Sequence, residues 1–263
     1  MLEKCIARAR NAEIYSWEND QVLKLFYDFI PVEAIDGEYT KTLTISRMTE
    51  MCPSIYDRIT LEEGEGITFE NIKGKSLTYN LLNNPLRLKE FSTIMAESHK
   101  RIHKIIANEL PEINAAISFK IKDSKILNMN QKSKLVEILD SMPKMDRLCH
   151  MNFHPDSIFI TDQGTKVIDW MNAGKGNPLV DVAKTLVLLR FSSLPFQNVL
   201  FRGVAKLSKE ILIRDYLNEY FKGHEYPNEE LDKWILIVAA SRTNEKLPES
   251  ELNKLDVFIQ EEL

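Results

Sequence analysis

A dense polar loop, LCHMNFHPDS from Leu148 to Ser157, stands out in this 263-residue sequence. Behind it come an apolar run, Ile158 to Thr161, a turn at Asp162-Gln163-Gly164, and a second run from Lys166 to Trp170. That order predicts a β-hairpin with polar groups at its entrance and its exit. Asn152 and Ser157 are five positions apart, and Asp169 follows twelve positions after Ser157. Closing the hairpin would bring an amide, a hydroxyl and a carboxylate to one place, where sites usually lie. Far upstream, Lys24 sits between apolar neighbours in Val22-Leu23-Lys24-Leu25-Phe26, an unusual setting for a lysine, and Glu38 could pair with it. Taken singly, Lys24 reads better as a surface lysine on an edge strand, and Glu38 nearly as well as a solvated glutamate. Asn152 and Ser157 read equally as loop residues bonded to nearby backbone.

Other chemistries fit less well. Cys5, Cys52 and Cys149 are scattered and form no CxxC pair, which argues against a zinc site or a disulfide framework and suits reduced thiols in a cytosolic protein. His150 and His154 sit in no zinc-type ligand pattern that would support a metal cage. His99 and His103 have helical i, i+4 spacing without an HExxH pattern, so a structural role is the simpler reading. With 34 Lys+Arg against 39 Asp+Glu, the net charge is −5, and the pI is near 5.7. That balance disfavours a sequence-independent nucleic-acid binder. The opening residues MLEKCIARAR hold no apolar stretch of signal-peptide length, and runs such as Trp234 to Ala240 fall far short of the ~20 residues of a membrane span. The expectation is a cytoplasmic protein without membrane or nucleic-acid partners.

The elements that must position these residues change character along the chain. Glu13 to Trp17 and Val22 to Phe26 read as a hairpin across Glu18-Asn19-Asp20. Val32 to Arg47 predicts a helix despite Gly37. Ser54 to Leu61 and Gly66 to Phe69 predict two more strands, joined by Glu62-Glu63-Gly64-Glu65. The polar stretch Glu70 to Lys75 is the best linker candidate. Beyond it helical periodicity prevails: Leu88, Phe91, Ile94, Met95, Ile102 and Ile105 mark one face, and Leu135, Ile138, Leu139 and Met142 another, stopped at Pro143. Pro178 to Leu189, Ile211 to Phe221 and Leu231 to Ala240 predict further helices.

This arrangement resembles the aminoglycoside phosphotransferase and choline kinase family, a branch of the protein-kinase-like fold. The residues that carry the likeness are His150-Met151-Asn152-Phe153-His154-Pro155-Asp156-Ser157, Ile168-Asp169-Trp170 and Gly176-Asn177-Pro178-Leu179-Val180-Asp181-Val182-Ala183. Val22-Leu23-Lys24-Leu25 looks like the family's lysine strand, and Phe69 to Gly74 like its hinge. The likeness implies an α+β, two-lobed fold: a β-rich nucleotide-binding lobe over 1–70, a hinge at 71–75, and a helical lobe over 76–263 with the acceptor cleft. It implies that ATP or GTP, with Mg2+, donates a phosphoryl group to a small-molecule hydroxyl acceptor. It assigns Lys24 to the phosphates, Glu38 to Lys24, Glu70 and Ile72 to nucleotide binding, Asp169 and Ser157 to the metal, and Asn152 to the catalytic position. It gives Asp181 a structural role, bonding backbone amides of the 150–157 loop.

Four departures concern the chemistry. Asn152 replaces the family's catalytic aspartate, and its amide cannot accept a proton. Ser157 replaces the asparagine that holds a second metal, and Met151 replaces a glycine. The stretch Ala7-Arg8-Ala9-Arg10-Asn11 lacks the glycines of a phosphate-covering loop. The sequence therefore supports a phosphotransferase of reduced activity, or a catalytically inactive, pseudokinase-type protein of the same fold that binds nucleotide and acts through a protein partner. Asp215, Glu219, Glu225, Glu229 and Glu230 could attract a cationic acceptor, and a charged helix face explains them equally.

Overall fold

Alternating apolar side chains in the first part of the chain build one antiparallel sheet. The computed structural model describes residues 4–9, 11–192 and 199–263, the side chains of 199–207 apart. Strands β1 (Cys5–Arg8), β2 (Ala12–Trp17), β3 (Gln21–Phe26), β4 (Ile55–Leu61) and β5 (Gly64–Glu70) lie in the order β1-β2-β3-β5-β4. The β2–β3 turn is made by Asn19 and Asp20, both at positive φ (54° and 57°). Their short polar side chains tolerate the left-handed region better than most. Helix α1 (Val32–Met48) packs on β4 and β5. Ile35 from the helix joins Ala12, Phe26, Ile55 and Ile67 from the sheet in one buried cluster.

The chain divides into two compact units, Met1–Leu77 with Asp156–Met171, and Thr78–Pro155 with Asn172–Leu263. The expected hairpin, β8 (Ile158–Thr161) and β9 (Gly164–Val167), thus belongs to the first unit, where β6 (Gly74–Ser76) extends it to three strands in the order β6-β8-β9. Backbone and side-chain bonds tie the hairpin to the rest of that unit. Val167 N donates to Met51 O at 2.7 Å, and Lys166 Nζ lies 2.9 Å from Glu70 Oε2.

The second unit is helical. Its helices are α2 (Leu77–Asn83, which starts at the boundary), α3 (Leu88–His103), α4 (Ile113–Asp123), α5 (Met129–Ser141), α6 (Pro178–Phe191), α7 (Val199–Tyr220), α8 (Asn228–Arg242) and α9 (Glu249–Glu262). A two-stranded ribbon, β7 (Arg147–Cys149) with β10 (Gly174–Gly176), flanks the polar loop in sequence. Helix α3 packs on α7, and α6 on α8. Phe91, Met95 and Ile102 of α3 are buried along the expected stripe. Helix α6 is buried nearly all round, with Val180, Val182, Ala183, Leu186 and Val187 fully covered, as a central helix requires.

Helices α2, α4 and α9 and the short strands β1, β6, β7 and β10 are not expected from the sequence. Strand β1 takes up Ala7 and Arg8, so the stretch expected to be a loop shortens to 9–11, and Arg10 lies outside the described residues. Leu148 and Cys149, expected in the loop, form the end of β7. No helix among the described residues is long and apolar enough to cross a membrane.

Candidate functional site

In the first unit, Lys24 is on β3 within the buried run Leu23 to Phe26. Strand alternation puts Lys24 and Phe26 on one face, and the ammonium lies 5.0 Å from the Phe26 ring centroid. An ammonium with so little access to water needs a partner. Glu38, on α1, supplies it: Nζ to Oε1 is 2.6 Å, with side chains 11% and 4% exposed. Glu38 Oε2 is buried and has no hydrogen-bond partner among the described residues. Burial pushes the Glu38 carboxyl up from its ordinary range, Lys24 opposes that rise, and the charge of Asp169 adds to it. Asp169 is therefore near enough for its charge to be felt at Glu38.

The β8–β9 hairpin brings Ser157 beside the residue that precedes Asp169, since Ile168 N donates to Ser157 O at 2.9 Å. Ser157 is buried. Asp169 has φ +70°, a left-handed backbone for a non-glycine residue. The turn after it is tied down by Trp170 Nε1 on Val167 O at 2.6 Å and by Lys41 Nζ on Met171 O at 2.5 Å. The first unit thus gathers Lys24, Glu38, Ser157 and Asp169.

Glu70 is engaged differently. Its Oε2 accepts from Ser54 N at 3.0 Å and pairs with Lys166 at 2.9 Å. Partial burial works against its ionisation, yet these donors outweigh it and hold the carboxyl below its ordinary value. Ile72 O accepts from Gly74 N at 3.0 Å, closing the bend before β6. Arg8 is largely exposed and pairs with Glu13 at 3.0 Å.

Asn152 belongs to the second unit, in a loop whose backbone is held from α6. Asp181 Oδ1 accepts from Met151 N at 2.8 Å, and Oδ2 accepts from His150 N. Asn152 N donates to His150 Nδ1 at 3.2 Å. The backbone at Met151 is left-handed, with φ 61°, although its side chain is bulky and buried. A glycine would adopt that conformation without steric cost. Thr185 Oγ1 donates to Phe153 O at 2.9 Å and fixes the far side of the loop.

Asp181 also explains the two helix histidines. His99 Nε2 and His103 Nε2 stand 3.1 Å and 3.3 Å from Asp181 Oδ2, while their Nδ1 atoms meet Tyr216 and Tyr220 hydroxyls, each at 2.7 Å. Burial above all, and the neighbouring His103, lower the His99 pKa to about 4, so its imidazole is neutral at pH 7. These three side chains bring their ligand atoms within 4.8 Å of one another and could hold a metal ion. Hydrogen bonds to Asp181 and the tyrosines account for most of the same atoms. Asp181, 78 positions from His103, is the third group that sequence spacing does not reveal. Of the acidic residues near the C-terminal helices, Asp215 pairs with Arg214 and Glu219 with Lys222. Glu230 accepts from Asn177 Nδ2 at 3.2 Å.

A family model described as "Phosphotransferase enzyme family" matches residues 50–203. No curated protein matches the chain. Among solved structures, a choline/ethanolamine kinase family protein from Mesorhizobium loti is 12% identical with TM-score 0.63, covering 98% of this chain and 87% of that one. The aminoglycoside phosphotransferase APH(4)-Ia, a thermostable mutant with ADP and hygromycin B, is 12% identical with TM-score 0.66, covering 98% and 92%. An amicoumacin kinase with AMP-PNP and Ca2+ is 15% identical with TM-score 0.62, covering 98% and 87%.

Proposed function

Because this chain belongs to the phosphotransferase enzyme family and has the protein-kinase-like fold, we propose that it transfers the γ-phosphoryl group of ATP or GTP to a hydroxyl of a small molecule. The observation that carries this reading is the buried Lys24–Glu38 pair, with Asp169 close enough to act on Glu38. A buried ion pair is a costly way to gain stability, and retention of one beside a further carboxylate suits a site that handles phosphate charge. Solved relatives hold ADP, or AMP-PNP with Ca2+, which supports a nucleotide and a divalent ion here.

The residues fit such a cofactor. Glu38 Oε2 is an orphaned acceptor, Asp169 brings a carboxylate, and Ser157 a hydroxyl. Lys24, held by Glu38, would bind the phosphates, while Asp169 and Ser157 would hold Mg2+. Glu70 and Ile72 would offer main-chain groups to the base. Such an ion would neutralise phosphate charge. In the transfer, the bond from the γ-phosphorus to its bridging oxygen breaks and a bond to the acceptor oxygen forms. The acceptor proton leaves to solvent or to the transferred group. Asn152 would orient the acceptor hydroxyl, and its amide takes no proton. The setting would be cytoplasmic, with neither nucleic acid nor membrane involved.

Asn152, Ser157 and the strained Met151 favour a second reading, a protein that binds nucleotide with little or no turnover and acts through a partner. Thermal unfolding with a panel of nucleotides, with and without Mg2+, tests both. A ligand present at 100 times its Kd stabilises by about 2.7 kcal/mol. A magnesium-dependent shift supports nucleotide binding, and single-turnover phosphate transfer then separates the two readings. No shift with any nucleotide removes the roles given to Lys24 and Asp169.

A further inference from the structure

The turn that follows Asp169 is held by a lysine that sequence motifs leave unassigned. Lys41 lies three residues after Glu38 on α1, and its ammonium donates to Met171 O at 2.5 Å. Met171 is two residues beyond Asp169, whose φ of +70° requires support from its surroundings. Trp170 Nε1 bonds Val167 O at the same turn, and Asn11 Nδ2 approaches Met171 Sδ at 3.7 Å. Lys41 brings a charged donor, and such a donor makes a hydrogen bond about twice as strong as a neutral one. Its charge also acts on Glu38, opposing the effect of burial there. Lys41 therefore connects the segment bearing Asp169 to the helix bearing Glu38.

We propose that Lys41 is a positioning residue, which locks the Asp169 turn onto α1 so that the Asp169 carboxylate keeps the aim needed to hold a divalent ion. The inference rests on the nucleotide-and-metal reading above. Lys41 need not touch nucleotide or acceptor. Its main effect passes through Met171 O to the backbone of Asp169, and its charge acts on Glu38 more weakly than that of Lys24 does. A purely structural lysine would change stability and leave the metal requirement alone. A positioning lysine raises the metal requirement while nucleotide affinity without metal stays the same.

The test compares wild type, Lys41→Met and Lys41→Arg in the full chain. Methionine keeps the apolar stem and removes the donor, whereas arginine keeps charge and donor. ATP and GTP binding is measured across a Mg2+ titration. Hydrogen exchange of the segment 168–171 is measured without nucleotide. Lys41→Met is expected to raise the Mg2+ concentration for half-maximal nucleotide binding ~10-fold or more, the scale of one lost charge-assisted bond. It should leave metal-free nucleotide affinity within ~2-fold and speed exchange in 168–171, and Lys41→Arg should recover most of both effects. An unchanged magnesium requirement in Lys41→Met overturns the proposal, whatever happens to stability. Equal losses with and without metal overturn it as well, since Lys41 would then serve nucleotide binding directly. A wild type that binds no nucleotide overturns the functional reading and the metal role of Lys41 together. Faster exchange in Lys41→Met would in that case support the mechanical hold alone, and unchanged exchange would overturn that too.

Discussion

Lys24 Nζ and Glu38 Oε1 are 2.6 Å apart although fourteen residues and two different elements separate them. Burial makes each depend on the other. Lys24→Met should destabilise the protein by about 3–5 kcal/mol, the range for stripping one partner from a buried pair. Adding Glu38→Gln should recover part of that loss. Denaturant unfolding of the two single variants and the double variant gives the coupling energy. A coupling near zero would mean that the pair is looser in solution than in the structure.

Asn152→Asp should raise phosphate transfer in a magnesium-dependent way. A carboxylate can both orient and deprotonate a hydroxyl, and a positioned base is worth ~10²–10⁴-fold. Met151 and Ser157 cap the gain, and Ser157→Asn in the same chain should increase it further. Single-turnover assays of wild type and both variants decide the matter. Wild-type turnover at ordinary kinase rates, ~1–100 s⁻¹, would show that another group already does this work.

Acid should weaken the second unit through His99. Its pKa is lowered from 6.5 to about 4 in the folded state, by burial first and then by His103. The folded state thus binds fewer protons than the unfolded state between these values. The stabilisation is fully present above pH 6.5 and is lost as pH falls toward 4. Its size is on the order of 3 kcal/mol for a shift of this kind. His99→Gln should flatten the fall across that window. Stability measured by urea titration at several pH values gives the slope, and an unaltered slope in the variant would place the proton elsewhere.

Gly174→Ala should disturb the ribbon beside the 150–157 loop. Gly174 pairs with Cys149, and a Cβ there would lie 2.6 Å from Pro111 O and 2.9 Å from Ile113 Cγ1. The backbone carbonyl cannot rotate away, so the cost should be about 1–3 kcal/mol. Gly37→Ala serves as the control. Its Cβ meets nothing within 4 Å, and helix propensity favours alanine. If Gly174→Ala melts like wild type while Gly37→Ala is stabilised, the ribbon has room that the structure does not show.

Local patterns in the sequence carried much of the architecture. The β2–β3 hairpin was legible because Glu18-Asn19-Asp20 separates two alternating runs, and left-handed Asn and Asp suit such a turn. Helix α3 was legible from the spacing of Phe91, Met95 and Ile102. Strand β1 was not, since its four residues are mostly exposed and show no alternation. Helix α9 escaped because many acidic residues dilute the apolar stripe of Leu255 and Ile259. Lys24, Asp169 and the 150–157 loop stood out because polar residues interrupt apolar periodicity. Lys41 did not, since a lysine on a helix is an ordinary sight.

By itself the sequence determined the strongly periodic strands and helices, such as β2, β3 and α3, and which side-chain chemistries the chain can offer, because periodicity and turn residues act over a few neighbouring positions. It also settled that Asn152 offers an amide, and not a carboxylate, at its loop position. Tertiary structure decided which of these groups meet. The family resemblance already placed Asp181 at the 150–157 amides, which the His150 and Met151 bonds bear out, whereas only the packing of α6 puts it against His99 and His103. Only the closing of the β8–β9 hairpin and the seating of α1 bring Met171 to Lys41. Such contacts join residues 30 to 130 positions apart. Their geometry depends on how whole elements bury their apolar faces, and no local pattern of residues encodes that.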